Sequence, residues 1–205
     1  MKQKYLKNLV SFFYEIGTLR KILRMHQQAF LTSDPSDNIA SHSFRTAVIG
    51  YFLAKELKAN ADKVIKMCLL HDIEETRCGD QNWIHKRYVK VFEEEIREGQ
   101  LKPLPNSQEM LKLSEEYQQR KTLEAKIAKD ADILDEIFLI REYGALQGNK
   151  EASTWLKAVT KKDPKKKSYQ EKRLFTKLAE EIAKEAKKQN PSQWWKSLWT
   201  AERRK

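Results

Sequence analysis

At 205 residues the chain is long enough for one domain with a buried core, and its 40% apolar and 34% charged shares suit helices with solvated outer faces. Apolar runs such as VIGYFLA (48–54) and IFLI (137–140) are too short to cross a bilayer, and two cysteines, Cys68 and Cys78, make no disulfide framework. The net charge of +11 is concentrated at one end: residues 157–205 carry 16 Lys/Arg against 6 Asp/Glu.

In chain order, Leu6, Leu9, Val10, Phe13, Ile16, Leu19 and Leu23 recur at helical spacing and predict a helix over 5–24. The opening MKQKYLKNLVSFF lacks a small-residue cleavage site after a sustained apolar run, so a reduced, cytoplasmic setting is expected. SDPSDN (33–38) reads as a loop, followed by a helix over 39–57 with Phe44, Val48, Phe52 and Leu53 inward. Asn60 is placed to cap a helix through Val64, Met67, Cys68 and Leu70 to Thr76, with Gly79 as its stop. Helices are predicted over 84–98 and 107–120, and a long periodic one over 122–143 through Ile127, Ala131, Leu134, Phe138 and Leu139. A short helix near 150–159, a loop KKDPKKK, a polar helix near 169–188 and a tryptophan-bearing end complete the chain. No strand alternation appears, so the expected class is all-α.

Four histidines are present, and two sit where chemistry is plausible. The run MCLL delivers His71 and Asp72 to the end of a buried helix, and a buried ionised carboxylate is costly unless paired or bound to a cation. His42 lies on the apolar flank of the preceding helix. IAKDADILDEIFLI offers Asp130, Asp132 and Asp135 in an apolar helix, and the residues alone leave open which one faces inward. Two imidazoles and two carboxylates suit Mn, Co, Fe, Ni or Mg better than a closed structural zinc site.

His42, the His71–Asp72 doublet and a distal aspartate, in that order, resemble the HD-domain phosphohydrolases. IASHSFR followed by LLHDIEETRCGD is similar to the subgroup acting as 5′-deoxynucleotidases. The resemblance covers about residues 15–145. It implies an HD-type helical bundle binding one divalent ion through His42, His71, Asp72 and Asp132; the pattern lysine, any residue, alanine, aspartate selects Asp132 over Asp130. It further implies catalytic roles for Glu75 and Asp80 and a phosphate contact for Arg24. The expected reaction is hydrolysis of (deoxy)nucleoside 5′-monophosphates to nucleoside and phosphate. Met25 follows Arg24 where some relatives carry an aromatic near the sugar, so no deoxyribose preference is implied.

Two other readings compete: an HD-type hydrolase of a cyclic nucleotide or alarmone, and a basic helical nucleic-acid-binding module with a vestigial metal site. The expected division is a phosphohydrolase domain over 1–159 and a basic helical extension over 160–205. Trp194, Trp195, Leu198 and Trp199 form a stripe on that extension, expected to pack on the domain or on a partner subunit. A homodimer is compatible with this reading, and the basic tail offers a site for nucleic acid or an acidic partner.

Overall fold

The computed structural model of the chain describes residues 2–157 and 167–198. Among these residues every regular element is helical, and the extended pairing is one isolated bridge, Leu23 with Asn38. No helix among them is long and apolar enough to cross a membrane. The chain divides into two compact units, Met1–Asp132 and Ile133–Lys205. The division expected at 159/160 falls within residues 158–166, outside the described residues, as do Trp199 and most of KKDPKKK.

In the first unit, α1 (Lys2–Ile16) passes into a 3₁₀ turn (Gly17–Lys21), so the helix predicted to residue 24 ends early. α2 (Gln27–Phe30) is a single turn, and α3 (Ile39–Glu56) starts where the Asn38 side chain accepts the Ser41 N–H. Asn60 caps α4 (Ala61–Leu70) in the same way through Lys63 N–H. The helix expected to continue to Thr76 instead stops at Leu70, turns through residues 71–74, and resumes as α5 (Glu75–Cys78). Gly79, with φ 70°, closes α5 in a backbone region open mainly to glycine.

The segment expected as one helix over 84–98 forms two, α6 (His85–Tyr88) and α7 (Glu93–Leu101). Val89 between them is extended at φ −120°, as a β-branched residue prefers. α8 (Ser107–Gln119) ends at Arg120, whose φ of 52° is left-handed. α9 (Leu123–Leu146) is the long helix of the chain and crosses the boundary between the units.

The first unit is held by Val64, Met67 and Cys68 of α4, Leu53 and Ala54 of α3, and Ala125, Ile127, Ala128 and Ala131 of α9, all buried. Gly50 marks the closest approach: a Cβ there would lie 2.9 Å from Cys68 Sγ and from Val64 Cγ1. Phe12, Ile73, Leu101 and Leu104 form a further apolar cluster that anchors the turn after α4. One expectation about α3 fails. Phe44, Val48 and Phe52 are 71%, 41% and 62% exposed, and Leu53 alone of the four is buried. Between Ile39 and Leu53, the residues of α3 that face inward are instead small or polar, namely His42, Ser43, Thr46, Ala47 and Gly50, because this face must pack closely on α4 and present an imidazole.

In the second unit, α10 (Lys150–Trp155) is capped by Asn149, and α11 (Lys177–Lys188) by Thr176. The polar helix expected from 169 thus starts later, after a 3₁₀ turn (Glu171–Arg173). α12 (Gln193–Leu198) leaves Trp194 and Trp195 64% and 55% exposed, with their rings edge-on to each other.

Candidate metal centre

Two helices and a turn bring the sequence-selected groups together. His42 projects from the first turn of α3, His71 caps the C-terminus of α4, Asp72 begins the turn that follows, and Asp132 lies on α9. His42 Nε2 and His71 Nε2 are 3.1 Å apart. Asp72 Oδ2 stands 3.0 Å from His71 Nε2 and 3.5 Å from His42 Nε2, and Asp132 Oδ1 is 3.4 Å from His42 Nε2 and 3.9 Å from His71 Nε2. Donor atoms of His42, His71 and Asp72 all lie within 4.8 Å of one another. Asp132 presents its carboxylate to the imidazoles; Asp130, on the same helix, is fully buried.

The surroundings suit a cation. His71 Nδ1 is 2.7 Å from the Cys68 carbonyl, to which it donates, so Nε2 presents its lone pair to the cluster. Burial opposes charge on Asp72 and Asp132. Even so, the imidazoles hold Asp72 well below the usual carboxylate range, and Lys129 with the imidazoles does the same for Asp132. Two nitrogen and two carboxylate donors match a borderline or hard divalent ion.

Asp132 divides its oxygens. Oδ1 faces the imidazoles, while Oδ2 accepts from Lys129 Nζ at 2.5 Å and lies 3.5 Å from the Tyr117 hydroxyl. Tyr117 is buried, and burial together with Asp132 and Asp72 keeps it a neutral phenol. Its ring meets His71 nearly edge-on at 5.5 Å. Neither Lys129 nor Tyr117 was among the candidate residues. The signal for Lys129 was its i, i+3 spacing to Asp132; Tyr117 reads as core, and it is core.

Glu75 sits one turn beyond His71. Its Oε2 is buried without a hydrogen-bond partner, and burial, then the Asp72 and Asp80 charges, push its carboxyl far above the usual range. Asp80 Oδ2 accepts the Met25 N–H at 2.6 Å and so ties the Gly79–Asp80 turn to the strand-like segment at 22–25. That segment is held against the start of α3 by Ile39 N–H to the Ile22 carbonyl and Arg24 N–H to the Asp37 carbonyl. His26 Nε2 lies 2.7 Å from Asp37 Oδ2, which further ties this segment to the loop before α3. Arg24 thereby reaches His42: its Nη1 is 2.5 Å from Nδ1, the ring nitrogen away from the cluster. A guanidinium only donates, so Nδ1 accepts in this arrangement.

A cleft of about 550 Å³, measured to its open mouth, adjoins the cluster. His71, Asp72, Glu75 and Asp132 line it, together with the cations Lys86, Arg120 and Lys129. Cys78 also lines it, but burial and the neighbouring Glu75 and Glu74 raise its thiol to about 11, so it is a poor nucleophile. Glu74, buried and paired with Arg97 at 2.9 Å, had no signal in the sequence.

Residues 16–174 match the family model described as HD domain. The chain is 29% identical over 149 residues to the 5′-deoxynucleotidase HDDC2 of Xenopus laevis, covering 69% of this chain and 72% of that protein. It is 27% identical over 146 residues to the bovine 5′-deoxynucleotidase HDDC2, covering 69% and 70%. Among solved structures, a conserved hypothetical protein from Pyrococcus furiosus superposes with a TM-score of 0.68 at 28% identity, covering 88% of this chain and 99% of that one.

Proposed function

Because the chain belongs to the HD domain family, we propose that it is a divalent-metal-dependent phosphohydrolase that cleaves (deoxy)nucleoside 5′-monophosphates to nucleoside and phosphate. The observation that carries this reading is the convergence of His42 Nε2, His71 Nε2, Asp72 Oδ2 and Asp132 Oδ1 beside a cleft. These four residues would hold the ion. When bound, a divalent cation supplies Lewis-acid polarisation of a phosphoryl oxygen and a more acidic water. The names of the frog and bovine relatives support a 5′-monophosphate as substrate.

The remaining work falls to the chain's own side chains. Lys129 and Tyr117 hold Asp132 so that Oδ1 faces inward. Glu75, kept protonated by burial, is suited to give a proton to the departing 5′-oxygen. Asp80 is suited to orient the attacking water. Were His42 Nε2 to hold the ion, its ring would carry hydrogen on Nδ1 and could not accept from Arg24, whose guanidinium could then donate to a phosphate oxygen.

The test is metal analysis of the purified chain, followed by chelation, reloading with Mn, Co or Mg, and a phosphate-release assay. The substrates are 5′-monophosphates, a cyclic nucleotide and an alarmone. Phosphate should appear from the 5′-monophosphates only after reloading. Asp132→Ala should lose both metal and turnover, whereas Asp130→Ala should keep its metal. Metal-loaded protein that releases phosphate from no 5′-monophosphate rules the reading out.

A further inference from the structure

Arg120 has a feature that metal binding does not explain. It occupies the C-cap of α8 in a left-handed conformation, φ 52° and ψ 30°, where its backbone N–H bonds the Glu116 carbonyl. Its guanidinium lies over the Tyr117 ring at 5.5 Å, and Tyr117 itself packs on His71. Arg120 Nε is buried without a hydrogen-bond partner, yet the side chain lines the cleft beside Asp72 and Asp132. A buried guanidinium N–H left unsatisfied is costly, which points to an acceptor that enters from the cleft.

The charges at the cleft wall indicate what that acceptor is. The carboxylates of Asp72, Asp132 and Glu93 line it, beside the acids Glu74 and Glu75, where burial opposes charge, against the cations Lys86, Arg120 and Lys129. A phosphate dianion entering such a cleft is repelled unless the cations meet it first. Arg24, which would meet a phosphate only from the His42 side, does not line this cleft, so its open side is left to the other cations. Lys129 uses one of its three donors on Asp132 and keeps the others for an anion. Arg120, in contrast, offers a planar fork suited to two phosphate oxygens.

We propose that Arg120, with Lys129 beside it, forms the anion subsite that receives the substrate's phosphate from the open side of the cleft. This deepens the phosphohydrolase reading and rests on it for the identity of the anion. Arg120 is then a binding residue whose removal raises KM more than it lowers kcat.

Binding of inorganic phosphate to Mn-loaded protein, measured by titration calorimetry, tests the subsite without turnover. Arg120→Gln should weaken phosphate about 10- to 100-fold, as expected for loss of charge-assisted hydrogen bonds, with Mn content and far-UV circular dichroism unchanged. Arg120→Lys should retain part of the binding, and Arg87→Gln, a nearby basic residue that does not line the cleft, should match the wild type. Wild type that binds no phosphate, Arg120→Gln that binds as wild type does, or Arg120→Lys as weak as Arg120→Gln each overturns the subsite. The two readings fail separately. Arg120-dependent phosphate binding without hydrolysis of any ester removes the hydrolase and keeps the subsite; hydrolysis with Arg120-independent phosphate binding does the reverse.

Discussion

Glu75 keeps one carboxyl oxygen buried without a partner while Asp72 and Asp80 raise the cost of its charge. A carboxyl in that position holds its proton where an exposed one would not, which is the condition for a general acid near neutral pH. Glu75→Ala should lower turnover by roughly two orders of magnitude with the metal retained. Steady-state kinetics beside metal analysis checks this; unchanged turnover removes Glu75 from the chemistry. His42, His71 and Asp72 were legible as residues, since rare histidines and an acid at the end of an apolar helix are conspicuous, whereas Glu75 came only through the family resemblance. Arg120 was not. At sequence level it is one basic residue in QQRK, and only the left-handed turn after α8 directs it over Tyr117.

Between elements, α1 is tied to α5 and α7 through one carboxylate. Glu15 accepts from Arg77 at 2.6 and 3.0 Å, from Gln100 at 2.8 Å and from Thr76 at 3.1 Å. The Arg77 hydrogen bond is the main reason its carboxyl lies below the ordinary 4.5. Because the folded value is the lower one, this contribution is fully present above pH 4.5 and is lost as pH falls through the folded value. Glu15→Gln should cost roughly 1 to 3 kcal/mol at pH 7, and the gap from wild type should narrow at pH 3. Urea unfolding at the two pH values measures both; an equal gap at pH 3 sinks the assignment. Helical periodicity located α1, α3, α4, α8 and α9, but it misjudged where α4 ends and which face of α3 is inward. Both errors have one cause. The turn at 71–74 and the small-residue face around Gly50 are set by what packs opposite, and periodicity carries no information about the partner.

For the whole molecule, the candidate ligands come from α3, the turn after α4, and α9, so a bound ion cross-links segments ninety residues apart in the chain (His42 to Asp132). A ligand that binds only the folded state stabilises it, by about 2.7 kcal/mol at a hundred times its Kd. Mn at saturating concentration should therefore raise the melting temperature by roughly 5 to 10 °C, chelator should reverse the rise, and Asp72→Asn should abolish it. Scanning calorimetry with and without Mn decides. No shift in the wild type means that no ion is held by the folded form.

Composition, periodicity and residue order by themselves determined that the chain is helical, that its net positive charge gathers at one end, and that two histidines and two aspartates form a family-like set. Each of these is a property of neighbouring residues or of residue identity, which a linear chain displays directly. Tertiary packing alone decided that Arg24 stands against His42 and that Lys129 and Arg120 face the cleft, and it placed Asp132, the aspartate the family pattern selects, at the imidazoles. Those outcomes depend on distances of a few ångströms between segments far apart in the chain, and such distances exist only once the helices have packed.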